Sequence, residues 1–169
     1  MGLKLIDEDI TKLDTDAIVN AANKELLMGD GVCGAIFRAA GPEKLQEACD
    51  KLSPIKTSES VITEGFDLKA KYIIHTAGPI YKDGNQDEEK LLRNSYFSAM
   101  ELAKKYLCKS IAFPLISAGI YGYPKKQAIE IAIKAINDFL NKNKDYEMNV
   151  YLILFNAMKE ELDLNNYDL

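Results

Sequence analysis

The sequence predicts a three-layer α/β/α domain around a mixed, largely parallel sheet. Three observations predict it. Short, continuous apolar runs read as strands, stretches with apolar residues at helical spacing lie between them, and the two kinds of segment alternate along the chain. A hydrophobic fraction of 47% in 169 residues is ample for one core of this kind.

The expected strands are Leu3 to Ile6, Ala17 to Val19, Ser60 to Thr63, Tyr72 to Thr76, Ser110 to Pro114 and Val150 to Phe155. Most lack the polar alternation of a sheet with one wet face, so central strands covered on both sides are expected. After the second strand a helix is expected over about Ala35 to Ala40. Further helices follow from the repeats Leu45, Ala48, Cys49, Leu52; Leu92, Tyr96, Ala99, Ala103; and Ile129, Ala132, Ile133, Ile136, Leu140. Pro124 suits the first position of the last helix. The polar stretch Lys82 to Glu89 reads as an ordinary connection. No repeat, low-complexity tract or proline-rich linker divides the chain, so residues 1–169 are expected to form a single domain.

A formal net charge of −5 offers no positive field for phosphates of a nucleic acid, which excludes nucleic acid as a general partner. Cys33, Cys49 and Cys108, with one histidine in the chain, supply neither a disulfide framework nor a zinc-ligand spacing. No metal and no cofactor are therefore expected, and a reducing compartment is. The stretch MGLKLIDEDI lacks an apolar signal core, Ile6 stands where a myristoylation motif needs Ser or Thr, and no apolar run could span a bilayer. The expectation is a cytoplasmic monomer with no membrane partner.

In such sheets ligands gather outside the carboxyl ends of the strands, where loops enter helices whose first amides are unpaired. Two glycine-rich loops fall there. Gly29, Gly31 and Gly34 precede the expected helix at Ala35, and Gly119 and Gly122 follow the strand at Ser110. Each could hold phosphate oxygens on backbone amides without a lysine. Either loop by itself reads equally well as a turn that needs glycine; two at neighbouring strand ends favour phosphate. Gly29, Gly31 and Gly34 also spell GxGxxG, with Asp50 near the spacing of a ribose-binding acid. A dinucleotide fold, however, puts its first glycine at the strand end, whereas Ala21 to Met28 intervene here, and Asp50 lies in a helical pattern. No GK[ST] follows either loop, so a P-loop is excluded.

The strings DAIVNAANKELLMGDGVCGAIFRAAGP, YIIHTAGPIY and FPLISAGIYGYP, in that order and spacing, resemble the MacroD-type branch of the macro domain family. The likeness runs from Glu8 through Val150 to Asn156. It implies a six- or seven-stranded mixed sheet with ADP-ribose in a cleft across its crest, and ADP-ribose or an ADP-ribosylated protein as the partner.

The resemblance also implies roles for individual residues. Asp9 and Ile10 match the adenine-site pair, where a carboxylate accepts from the exocyclic amine. Phe155 and Asn156 match the far wall of the adenosine pocket. Ala22, Gly31, Val32, Ser117, Ala118, Gly119, Ile120 and Tyr121 match positions around the diphosphate and distal ribose. Asn23 matches the asparagine that bonds the distal ribose hydroxyls, and Asn20 reads as a structural turn residue. His75, in an apolar strand with no carboxylate or cysteine evidently paired to it, reads as structural.

One position departs from the pattern. Where the MacroD-type sequence carries an aspartate proposed to position or activate the hydrolytic water, this chain has Cys33. A thiol, mostly protonated at neutral pH, does not replace a carboxylate base. Phe37 likewise replaces a common histidine, which reads as a packing change. Two functions follow: a hydrolase of mono-ADP-ribosyl esters, on ADP-ribosylated Asp or Glu or on O-acetyl-ADP-ribose, slowed by Cys33 with water held by Asn23 and the loops; or a non-catalytic reader of ADP-ribose. A nicotinamide-dinucleotide enzyme ranks third.

Overall fold

A computed structural model describes residues 2–154. Strands β1 (Gly2–Ile6), β2 (Ala17–Ala22), β3 (Ser60–Glu64), β4 (Tyr72–Ala77), β5 (Ser110–Phe113) and β6 (Asn149–Ile153) form one sheet in the order β1-β6-β5-β2-β4-β3. Every pairing is parallel except β3 with β4. The helices are α1 (Gly31–Ala40), α2 (Pro42–Asp50), α3 (Glu88–Lys105) and α4 (Lys125–Lys142), with a 3₁₀ turn at Ile10–Lys12. This is the expected mixed, largely parallel sheet between helical layers. Among the described residues no helix is long and apolar enough to cross a membrane.

Alternate side chains of the strands feed two cores. Ala17, Val19, Ile74, Ile111, Phe113 and Leu152 pack under α3 and α4, whereas Ile18, Ala22, Ile73 and Ala112 pack under α1 and α2. Both faces of β2, β4 and β5 are therefore dry, which is why their sequences show no polar alternation. The helices following β2 cover one face and the helix following β5 covers the other. Since β2 and β5 are neighbours, paired through Ala17–Ile111 and Ile18–Ala112, the chain diverges between them at the carboxyl ends, the switch point at which open α/β sheets form their ligand crevice.

Several boundaries differ from expectation. Helix α1 begins at Gly31, not near Ala35, because Asp30 with extended backbone is its N-cap. Gly31 (φ +59°) makes the turn into the helix, so Gly31 and Gly34 belong to α1 and not to a loop. Pro124 is the N-cap of α4, one position earlier than its fixed φ had suggested. Leu52 lies beyond the end of α2 and is exposed. Asn20 is no turn residue; it sits inside β2, 1% exposed.

The Lys82 to Glu89 segment is more than a plain connection. Glu88 is buried, and its carboxylate accepts the N–H groups of Lys82 (2.7 Å), Asp83 (3.2 Å), Gly84 (3.0 Å) and Gln86 (2.6 Å). Burial pushes the Glu88 carboxyl up, but the four donors outweigh it and hold it at about 2. A depressed value means that stability is complete above the ordinary 4.5 and is lost as the pH falls through that range toward about 2. Glu88→Gln is expected to lower the thermal midpoint by several degrees near neutral pH, since an amide offers one acceptor oxygen where the carboxylate offers two. The gap from wild type should narrow as the pH approaches about 2, as a pH series of thermal melts would show.

Candidate functional site

The segment between β2 and α1 is folded by its own side chains. Leu26 N–H closes a turn on Asn23 O (3.1 Å), with Leu26 in the left-handed region (φ +55°). That conformation costs a branched residue on the order of 1–2 kcal/mol. Burial of the Leu26 side chain, 1% exposed, offsets it. Asn23 then clasps Leu27 at both ends: its Nδ2 donates to Leu27 O (2.9 Å) and its Oδ1 accepts Leu27 N–H (3.0 Å). One amide hydrogen and one lone pair of Asn23 remain for another partner. The Cys33 thiol, 6% exposed, points at the same carbonyl (Sγ to O, 3.7 Å). Asn23 Nδ2 and Cys33 Sγ each lie 3.7 Å from where a Cβ on Gly29 would sit, so the fold brings both to one glycine.

The segment after β5 is braced from a third loop, Gly78 to Tyr81, which belongs to the matching string YIIHTAGPIY but was given no site role. Ser117 (φ +67°) is buried and donates its hydroxyl to Pro79 O (2.7 Å), so its hydroxyl is committed to the third loop. A Cβ on Gly78 would collide with the Ile116 side chain and Ser117 Oγ. Tyr81 N–H donates to Tyr121 O (2.9 Å), and its ring packs on Tyr123 at 4.8 Å between centroids. Its local signal is a Gly-Pro directly after a strand, and only the family resemblance links it to the other two.

A second brace comes from α3. The buried Tyr96 hydroxyl accepts Ile116 N–H (3.1 Å). Tyr96→Phe would leave that buried N–H without an acceptor and should destabilise the protein by about 1–3 kcal/mol in chemical denaturation.

Two sets of backbone donors lie at the crevice. Asp30 makes no side-chain cap to α1, and among the described residues the N–H groups of Gly31, Val32 and Cys33 have no acceptor. The same holds for Gly119, Ile120 and Tyr121 on the other side. A Cβ at Gly31 or Gly119 would meet nothing within 4 Å, so both face open space. Burial, and then the negative charge of nearby Glu25, raises the Tyr121 phenol above its ordinary value. Unpaired amides at a helix start, aided by its dipole, can hold an anion without a cationic side chain. Ala22, at the end of β2, is buried beneath.

Asp9 and Ile10 occupy the end of the sheet beside β1. Asp9 caps the 3₁₀ turn through Oδ1, which accepts both the N–H (3.0 Å) and the hydroxyl (2.7 Å) of Thr11. The Thr11 hydroxyl above all holds the Asp9 carboxyl below its usual range, and Oδ2 stays available as an acceptor. Ile10 is buried against the α1 side of the sheet. Phe155 and Asn156 lie outside the described residues.

His75 does have a cysteine beside it: Cys49 Sγ lies 3.9 Å from Nε2. Asn20 Nδ2 donates to Nδ1 (3.1 Å), which leaves Nε2–H for Thr63 Oγ1 (3.0 Å). These residues resemble a nucleophile set in kind but not in state. Burial pushes the His75 imidazole down to about 3 and the Cys49 thiol up to about 12, so both stay neutral, and both are fully enclosed. The cluster pins β2, β3 and β4 to α2. Asp50, the acid of the GxGxxG reading, accepts from Gln46 within α2 and follows no strand.

The macro domain family model matches residues 19–132. An O-acetyl-ADP-ribose deacetylase from Escherichia fergusonii is 43% identical over 164 residues, covering 95% of this chain and 92% of the relative. Among solved structures, the Oceanobacillus iheyensis macrodomain with ADP superposes with a TM-score of 0.87 at 43% identity, over 94% of this chain and 88% of that one. The Trypanosoma brucei macrodomain in complex with ADP-ribose gives 0.84 at 36% identity, over 94% and 66%.

Proposed function

This chain belongs to the macro domain family, and from that premise we propose that all of it forms one macro domain that binds ADP-ribose and hydrolyses mono-ADP-ribosyl esters. The observation that carries the binding is the double set of unpaired amides, Gly31 to Cys33 and Gly119 to Tyr121, at the ends of two adjacent parallel strands. Gly119 strengthens it, for its φ is not positive and no neighbour crowds it, so folding alone gives no reason for glycine there.

In this reading the diphosphate sits on both amide sets, with Ala22, Val32, Ala118 and Ile120 about it and Ser117 contributing backbone. Asp9 Oδ2 takes the adenine amine beside Ile10. Asn23 offers its remaining hydrogen and lone pair to the distal ribose, and Tyr121 stands over that end. Water held between the phosphates and that ribose attacks the ester carbonyl. The acyl–oxygen bond breaks, giving ADP-ribose and a free carboxylic acid. The acid is acetate or the side chain of an ADP-ribosylated Asp or Glu.

The buried Cys33 favours a second reading, a reader without turnover, because a thiol stands at the position where a carboxylate would activate water. Titration calorimetry with ADP-ribose against NAD tests the binding, and preference for NAD or absence of heat rejects it. Single-turnover assays on O-acetyl-ADP-ribose and on mono-ADP-ribosylated protein separate the readings: product above background identifies the hydrolase.

A further inference from the structure

We propose that Gln46, on α2 and remote from the ligand, is a positioning residue that sets the preference for ADP-ribose over ADP. The inference rests on the reading of Asn23 given above.

Gln46 has every hydrogen-bonding group of its amide engaged. Nε2 donates one hydrogen to Leu26 O (2.9 Å) and the other to Asp50 Oδ1 (2.9 Å), while Oε1 accepts Met28 N–H (3.0 Å). Asp50 decides which way the amide faces. A flipped amide would set its oxygen against two acceptors and its NH₂ against the Met28 N–H. Gln46 thus grips the residues on either side of Leu27, the residue whose N–H and carbonyl are both bound by Asn23 and whose carbonyl the Cys33 thiol approaches.

Apolar packing does not define this segment. Leu26 is anchored in the core, but Leu27 and Met28 are 52% and 40% exposed. The position of the Leu27 backbone is set by polar partners: Gln46 from α2 on one side, Asn23 and Cys33 on the other. Release of the Gln46 side leaves Asn23 clasping a segment free to shift, and the hydrogen and lone pair it offers to the distal ribose shift with it. The amides of α1 and of the second loop do not depend on Gln46, so the grip on the diphosphate is retained.

Calorimetry of the full chain with ADP-ribose and with ADP tests this, since ADP lacks the distal ribose. Gln46→Met, of similar length but without donors, should weaken ADP-ribose about 10-fold, as expected for loss of one or two modest hydrogen bonds, and leave ADP unchanged. Gln46→Glu should lose the preference as well, because it has no donor for Leu26 O and is repelled by Asp50. Adding Asp50→Asn to Gln46→Glu should recover part of it, as the new amide donates to the carboxylate introduced on α2. Should Gln46→Met fail to fold, Asp50→Ala, which removes an exposed acceptor, should show a smaller loss of the same preference. Equal weakening of both ligands, or an unchanged ratio while Asn23→Ala loses it, overturns the inference alone. A wild type that does not prefer ADP-ribose, or whose preference survives Asn23→Ala, overturns the reading of Asn23 and the inference together.

Discussion

Gly119→Val is expected to raise the ADP-ribose dissociation constant at least about 100-fold while leaving the thermal midpoint where it was; a 100-fold loss corresponds to about 2.7 kcal/mol. The two halves of that result have separate physical causes. A Cβ on Gly119 meets no atom within 4 Å and the residue is exposed with no positive φ, so the folded protein accommodates a branched side chain. A phosphate that must reach the Gly119, Ile120 and Tyr121 amides cannot share that space with an isopropyl group, and charge-assisted bonds of this kind are the strong ones. Calorimetry and a thermal melt on the same preparation check both halves. Retained affinity would move the diphosphate elsewhere; lost affinity with a lowered midpoint would reduce the effect to misfolding.

Cys33→Asp is expected to raise the single-turnover rate of ester hydrolysis about 100-fold, the lower end of what a positioned general base contributes. Cys33 is the third residue of α1, where the helix dipole favours a negative charge by on the order of 0.3–1 kcal/mol and so keeps an aspartate ionised. Its side chain starts beside Gly29 and Asn23, the end of the site to which the proposed reading assigns the distal ribose and its water. The thiol now points to the Leu27 carbonyl, an acceptor that a carboxylate must turn away from. The measurement is product formation from O-acetyl-ADP-ribose with enzyme in excess. An unchanged rate at unchanged affinity for ADP-ribose would mean that this position does not govern turnover.

Residues near one another in sequence carry much of what was legible. The dry strands, the helical stripes and the glycine strings are patterns that span a few residues, and they located the six strands among the described residues and the two loops. The start of α1 was misplaced by four positions because glycines read as loop, and only the extended backbone at Asp30 shows that the helix begins at Gly31. Asn20 read as a turn because its type favours turns, yet a His75 acceptor across the sheet holds it inside β2. The Ser117 hydroxyl is committed to Pro79, so the role proposed for Ser117 falls to its backbone, which residue type does not reveal.

What the sequence determined by itself is the class of fold, the family likeness and the two candidate anion loops, all of which depend on residue type and short-range spacing. Tertiary structure alone decided that β2 and β5 are neighbours whose helices leave by opposite faces, that a third loop and Tyr96 brace the second glycine segment, and that Gln46 holds the first. These contacts join residues from 18 to 94 positions apart. No local propensity encodes such pairs; they exist because chain crossings over a shared sheet bring distant polar groups together, and each buried one must find a partner.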